Sequence, residues 1–178
     1  MPKIESPADA QPAERVFLID SMSHIFRAFY APMSNRAAPL MTNKGQVTQA
    51  VYIFTNMLRK LIQDEKPKYL AAIFESKEKT FRHEAFADYK ATRTEMPDEL
   101  ASQLPFIRRL CEAYNVPMIS LSGYEADDVI GTLAVKAAEK GYAAPQTNSL
   151  RYPNALALRK RRPYDQKHNA TSTVPRRD

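Results

Sequence analysis

The feature that most constrains this chain is a repeated pattern, a short and solidly apolar run that closes on an acid. Residues Val16–Asp20 read VFLID, and Tyr69–Phe74 read YLAAIF with Glu75 immediately behind. Runs of this length without polar alternation mark strands buried on both faces. Between them, Val47, Val51, Phe54, Met57, Leu58, Leu61 and Ile62 recur at helical spacing over Gln46–Glu65, and Lys66-Pro67 should end that helix. Ile25, Phe26, Phe29 and Tyr30 mark one side of a shorter helix, and Pro32 to Gly45 reads as a loop.

The alternation continues downstream. Leu100, Leu104, Ile107, Leu110 and Tyr114 share a helical face that Pro105 should kink or split. Val116–Leu121 predicts a third strand, and Glu125–Lys140 a third amphipathic helix with Val129, Ile130, Leu133, Ala134 and Ala137 inward. Strand, helix and strand in turn predict an α/β fold built on a right-handed parallel sheet. Ser76–Met96 interrupts it with dense charge, a few aromatics and no clean core face.

The ends differ from the middle. Residues 1–15 are polar and proline-bearing, with no apolar segment of the secretory kind, and read as an unstructured extension. Residues 16–142 form the predicted folded part. Residues 143–178 lack any strand or helix period beyond a short Asn154–Lys160 stretch. A basic unstructured tail and a stretch translated out of frame both fit, and the second is favoured because the break falls inside a βα unit. Charge divides the same way, since residues 1–142 hold 18 Lys or Arg against 18 Asp or Glu, while 143–178 hold 8 against 2. The formal net charge of +6 therefore belongs to the tail, and any nucleic-acid contact in the folded part must come from local patches. The single Cys111 excludes an internal disulfide, reads as a buried inert thiol and suits a reducing cytoplasm. No apolar run reaches the roughly 18 residues of a membrane span, so a soluble chain is expected.

In an open parallel sheet the ligand site lies beyond the carboxyl ends of the strands. Asp20 closes the first, Glu75 the second, and the third leads through Ser122-Gly123-Tyr124 into Glu125, Asp127 and Asp128. Taken singly, each acid has a structural role open to it: Asp20 could cap the next helix, and acids in a first helical turn suit the helix dipole. Taken together, five carboxylates at one edge would repel by a few kcal/mol at ~5 Å and an effective dielectric near ~20. Hard divalent ions, Mg²⁺ or Mn²⁺, are the natural counter-charge for oxygen ligands. No Cys or His cluster offers a zinc site, and no glycine-rich loop ending in Gly-Lys-Ser/Thr is present for a nucleotide. An Asp20 phosphotransferase would want a second acid two residues on, where Met22 stands.

Four stretches, FLIDSMSHIFRAFYA, TNKGQVTQAVYIFTNMLRKL, TFRHEAFADYKATR and GYEADDVIGTLA, come in this order between residues 15 and 142. They resemble the successive motifs of the 5′-nuclease family, the 5′–3′ exonuclease domains of bacterial DNA polymerase I and the flap endonucleases. The resemblance implies a PIN-like (resolvase-like) α/β domain with a helical arch over the site. It implies Asp20, Glu125, Asp127 and Asp128 as ligands of a two-metal centre, with Glu75 where the family usually carries Asp. It also implies that Ser76–Met96 is the arch, where Phe81, Arg82, Tyr89, Lys90 and Arg93 would meet DNA, joined by Arg27 on the first helix. His83 is expected to be an exposed polar residue. The substrate implied is DNA with a 5′ flap, a nick or a single-stranded 5′ end, acted on by a monomer. The family continues after the position of Tyr142 into a strand and an Asp-Lys-Asp-like motif that this sequence lacks, so the fold and the metal site are expected to be incomplete. A hydrolase and a DNA-gripping module that does not cut both remain open. The tail is checked by reading the encoding DNA after the Tyr142 codon in the other two frames. An out-of-frame tail predicts apolar strand codons followed by an Asp-Lys-Asp-like motif, and absence of both in either frame refutes it.

Overall fold

The structure, a computed structural model, describes residues 14–32, 39–76, 78–86, 89, 95–143, 152 and 154–160. Its centre is β1 (Arg15–Asp20), which runs parallel to β2 (Tyr69–Ile73), with Val16 opposite Tyr69 and Asp20 opposite Ile73. Beyond β2 lies the short parallel β3 (Met118–Ile119). The apolar runs behave as the sequence predicts, because side chains on alternate positions leave to opposite faces. Phe17, Ile19, Ala72 and Phe74 pack with α1 (Ser21–Phe29), α2 (Gln49–Glu65) and the α5 helix (Leu104–Ala113), among Ile25, Phe54, Leu58, Leu61 and Ile107. Val16, Leu18, Ala71 and Ile73 face α6 (Ala126–Glu139) through Ala126 and Val129.

Several boundaries follow local chemistry. Lys66 adopts the left-handed conformation at the end of α2, ahead of Pro67, which cannot continue a helix. Pro105 splits the predicted long helix into α4 (Asp98–Ala101) and α5, and lies in the first turn of α5, where its missing N–H costs nothing. The α3 helix (Phe81–Ala85) is a single short turn inside the charged segment. Cys111 is fully buried, and burial pushes its thiol up to about 11, as expected of an inert cysteine. No helix among the described residues is long and apolar enough to cross a membrane.

The sheet departs from the prediction on its other side. The sequence predicts an unstructured tail over 143–178, with a period only in the short Asn154–Lys160 stretch, and a parallel sheet. Instead β4 (Tyr142–Ala143) and β5 (Ala155–Lys160) complete the order β3-β2-β1-β5-β4, and β5 runs antiparallel to β1. The physical reason is the free edge of β1. A strand buried on both faces cannot leave one row of N–H and C=O groups without partners, and ALALRK has the period-2 pattern that can fill it. Leu156 and Leu158 join Val16 and Leu18 under α6, while the small Ala155 and Ala157 sit on the crowded face of Phe17 and Ile19. The Glu14 carboxylate ties the sheet's start together. It accepts from the Tyr142 hydroxyl at 2.8 Å and from Lys68, pairs with Lys160 at 3.5 Å, and is held down at about 2 by the first two bonds.

Leu158 tests whether this strand belongs to the core. Leu158→Ala should lower the unfolding free energy by about 2 kcal/mol or more, as for a buried leucine truncated to alanine. Urea unfolding followed by circular dichroism measures it, and an unchanged midpoint would show that β5 does not cover β1.

Candidate active site

Because β1, β2 and β3 are parallel, their carboxyl ends open on one edge, and the acids of interest lie along it. Asp20 serves as the N-cap of α1, its Oδ1 accepting from Ser23 N–H at 3.0 Å. Its own N–H donates to the Asn154 carbonyl at 2.9 Å, so the residue lying beside it on the tail side is an amide and not an acid. Glu75 follows β2 in a half-buried loop, and Asp127 on α6 is exposed. Gly123, at a φ of 79°, turns the chain between β3 and α6. A side chain there would be strained.

Glu125 and Asp128 form the centre of the site. Glu125 N-caps α6 and donates its N–H to Asp128 Oδ2 at 3.1 Å, a reciprocal arrangement that holds both acids at the positive end of the helix. Arg82 approaches from α3 and binds Asp128 through two parallel hydrogen bonds, Nη1 to Oδ2 at 2.6 Å and Nη2 to Oδ1 at 2.7 Å. The same Nη1 lies 3.9 Å from Glu125 Oε2, which also accepts from the Tyr89 hydroxyl at 3.1 Å. Asp128 holds the Arg82 guanidinium above its ordinary pKa, as a fork-on-fork pair should. Phe81 stacks under this guanidinium at 4.5 Å and meets Tyr124 at 6.0 Å, while its N–H donates to Gly123 O at 3.2 Å. A cavity of about 380 Å³ opens beside Asp128, lined by Leu121, Tyr124, Val129, Thr132 and Lys136 among others.

The prediction of five converging carboxylates is not met in this arrangement. Among the described residues no three His, Cys, Asp or Glu side chains gather closely enough to hold a metal ion. Part of the reason is visible in the pair just described: Asp128 is already paired with Arg82, which also approaches Glu125, and Asp20 is turned to its own helix. The donor chemistry still fits a hard divalent cation. The acids offer only oxygen, and a positive group rests against two of them. His83 is a second correction. It is half-buried, with Nδ1 2.9 Å from Thr80 Oγ1 and accepting from Thr80 N–H at 3.2 Å. The Thr80-x-x-His83 spacing is the capping-box signature with His in place of Glu or Gln, a signal the sequence did contain. Arg27 is exposed near the end of α1, and Phe81 is exposed on α3. Lys90 and Arg93 lie outside the described residues.

Comparison with known proteins now places the chain. Residues 15–145 match the family described as 5′–3′ exonuclease, N-terminal resolvase-like domain, and the chain belongs to that family. It is 45% identical over 130 residues to DNA polymerase I of Bacillus caldotenax, which covers 72% of this chain and 14% of the polymerase. It is 41% identical over 127 residues to the 5′–3′ exonuclease of Aquifex aeolicus, covering 71% and 42% of the two chains. The chain thus spans less than half the length of either relative. A solved structure described as T5 5′-exonuclease with divalent metal ions (zinc) bound is 16% identical, with a TM-score of 0.49, over 68% of this chain and 44% of that one. The family match ends before β5, so the strand beside Asp20 comes from outside it.

His24, one turn beyond Asp20, supplies a pH prediction. Its ring lies against Phe54 at 5.7 Å, and burial, followed by Arg27, pushes its pKa from 6.5 down to about 4, with Asp20 opposing. A depressed histidine keeps the folded chain deprotonated where the unfolded chain takes up a proton. Stability is therefore complete above pH 6.5 and is lost as pH falls towards 4. The loss should be about 2–3 kcal/mol by linkage, and His24→Leu should flatten it. Urea midpoints measured between pH 7 and 4 check both, and an equal acid slope in the variant would locate the loss elsewhere.

Proposed function

We propose that this chain is the N-terminal part of a divalent-metal-dependent 5′–3′ exonuclease, or flap endonuclease, that cuts DNA phosphodiesters. One observation carries the reading. Within the residues that match the family, an acid stands at or just beyond the carboxyl end of each of three parallel strands, with the Arg82 cation paired to the last of them. Asp20, Glu75, Glu125, Asp127 and Asp128 are the residues that would hold Mg²⁺ or Mn²⁺. When bound, such ions supply a water of lowered pKa and a counter-charge for the leaving oxygen.

The chain's own residues set the substrate. Arg82 and Arg27, with Lys90 and Arg93, are cations for backbone phosphates, and Phe81 and Tyr89 are faces on which unpaired bases can stack. A stacked base is worth ~1–3 kcal/mol without regard to its identity, which suits a strand end recognised by structure and not by sequence. A 5′ flap, a nicked duplex or a single-stranded 5′ end meets that description, and the chain would act as a monomer in the cytoplasm.

A second reading, a module that grips such DNA without cutting it, is favoured by one feature of the sheet. The strand that abuts β1 is β5, and the residues beside Asp20 are Asn154 and Ala155. Among the described residues no further acid enters the edge from that side. A site short of one strong electrostatic contributor loses ~10²–10³ in rate. Single-turnover cleavage of labelled 5′-flap DNA in Mn²⁺ decides between the readings. The comparison is a chimera in which residues 143–178 are replaced by the matching continuation of the Aquifex aeolicus exonuclease. The chain as it stands should cut at least ~100-fold more slowly than the chimera. Comparable rates would show that the first five acids suffice, and no cleavage by either would leave the gripping module.

A further inference from the structure

We propose that Arg82 is a resident counter-ion that a divalent metal displaces, so that residues 80–86 and Tyr89 are clamped to the head of α6 without metal and released by it. The inference rests on the metal-dependent reading above and adds a coupling between the metal site and the substrate-binding segment. Among the described residues, three hydrogen-bonded contacts make the clamp, and they cross between the same two pieces of chain. Arg82 grips Asp128 with both nitrogens, the Tyr89 hydroxyl donates to Glu125, and the Phe81 amide donates to Gly123 O. Two of the three end on carboxylates that would hold the ion. The third lies in the turn that delivers them.

The exchange follows from charge. Guanidinium is a donor only and does not lose its proton in proteins, so it cannot share a metal's shell as a ligand. A divalent ion at Asp128 would face the Arg82 cation within a few ångströms and repel it. Asp128 can satisfy one of them fully, and binding either cation weakens the other by the same factor. The pair is also built to separate. Arg82 and Asp128 are each about a quarter exposed, so the guanidinium can return to water. Phe81, which carries it, is half-exposed and held to the body by one backbone bond and the Tyr124 ring. Once displaced, Arg82 becomes available to an anion, and a phosphodiester is the anion this site would meet. Metal loading would thereby prepare the segment for its strand.

The test is the affinity of the full chain for Mn²⁺, read from the electron paramagnetic resonance signal of the free ion and not from cleavage. Arg82→Ala should tighten Mn²⁺ binding by about fivefold or more, the lower end of ordinary coupling between linked sites. Arg82→Lys, which keeps the charge and loses the fork, should fall between. In an Asp128→Asn background Arg82→Ala should have a smaller effect, because the close contact is already gone and only the 3.9 Å approach to Glu125 remains. In the unaltered chain, Mn²⁺ should speed hydrogen exchange of the Phe81 amide while slowing that of the α6 amides. Equal or weaker Mn²⁺ binding by Arg82→Ala, or a Phe81 amide that Mn²⁺ protects, overturns the exchange and leaves the nuclease reading standing. No bound Mn²⁺ in any of these chains overturns both.

Discussion

Val16, Phe17, Leu18 and Ile19 place β1 where water reaches neither face, and the rest of the molecule is arranged around that constraint. A buried strand must find partners for its backbone on both edges, because an unpaired N–H or C=O away from water costs as much as a lost hydrogen bond. β2 answers one edge and β5 the other. The two faces need cover as well, supplied by α1, α2 and α5 on one side and by α6 on the other. The ends of β1 are less covered than its middle, and at the carboxyl end the sequence puts Asp20.

Two buried glutamines then hold the helices at the correct ends. Gln49 donates from Nε2 to Phe29 O at 3.0 Å and Ala31 O at 2.9 Å, satisfying carbonyls that α1 leaves open at its close. Gln103, at the break before α5, accepts from the Ala50 and Val51 amides at 2.9 and 3.2 Å, where α2 has no side-chain cap of its own. Each replaces a local cap by one brought from another element, which suits ends that are inside the core. By contrast α3 is held to α6 by a part-buried charge-assisted pair and a backbone bond to Gly123 O, so its attachment is polar where that of α1 and α2 is apolar.

The site was half legible from the sequence. Asp20, Glu75, Glu125, Asp127 and Asp128 could be placed at strand ends because an apolar run has a readable end, and the residue after it must meet solvent. What each would do there was not readable. Asp20 caps a helix, which its spacing to Ser23 allows, and Asp128 pairs with an arginine 46 residues earlier. Local pattern carries no information about the second kind of partner. His83 shows the intermediate case: its capping spacing to Thr80 lay in the sequence, but an isolated histidine in a charged segment gave no reason to read it that way.

By itself the sequence determined β1, β2, α2 and α6 and the edge on which the acids lie, because hydrophobic periodicity and the residues that end a helix act within a few neighbours along the chain. The fate of Ala155–Lys160 was decided only by the tertiary structure. ALALRK alternates as a strand can, but two of its side chains are alanines and the tail around it has no other period, and no local preference says that it should run against β1 and not beside another edge. It becomes one because β1 offers a row of unmet hydrogen bonds and α6 offers apolar surface to Leu156 and Leu158. The same holds for Arg82 and Asp128. Two opposite charges far apart in sequence become a pair when Gly123 turns the chain and brings the head of α6 against α3, and that proximity is a property of the folded path and of nothing shorter.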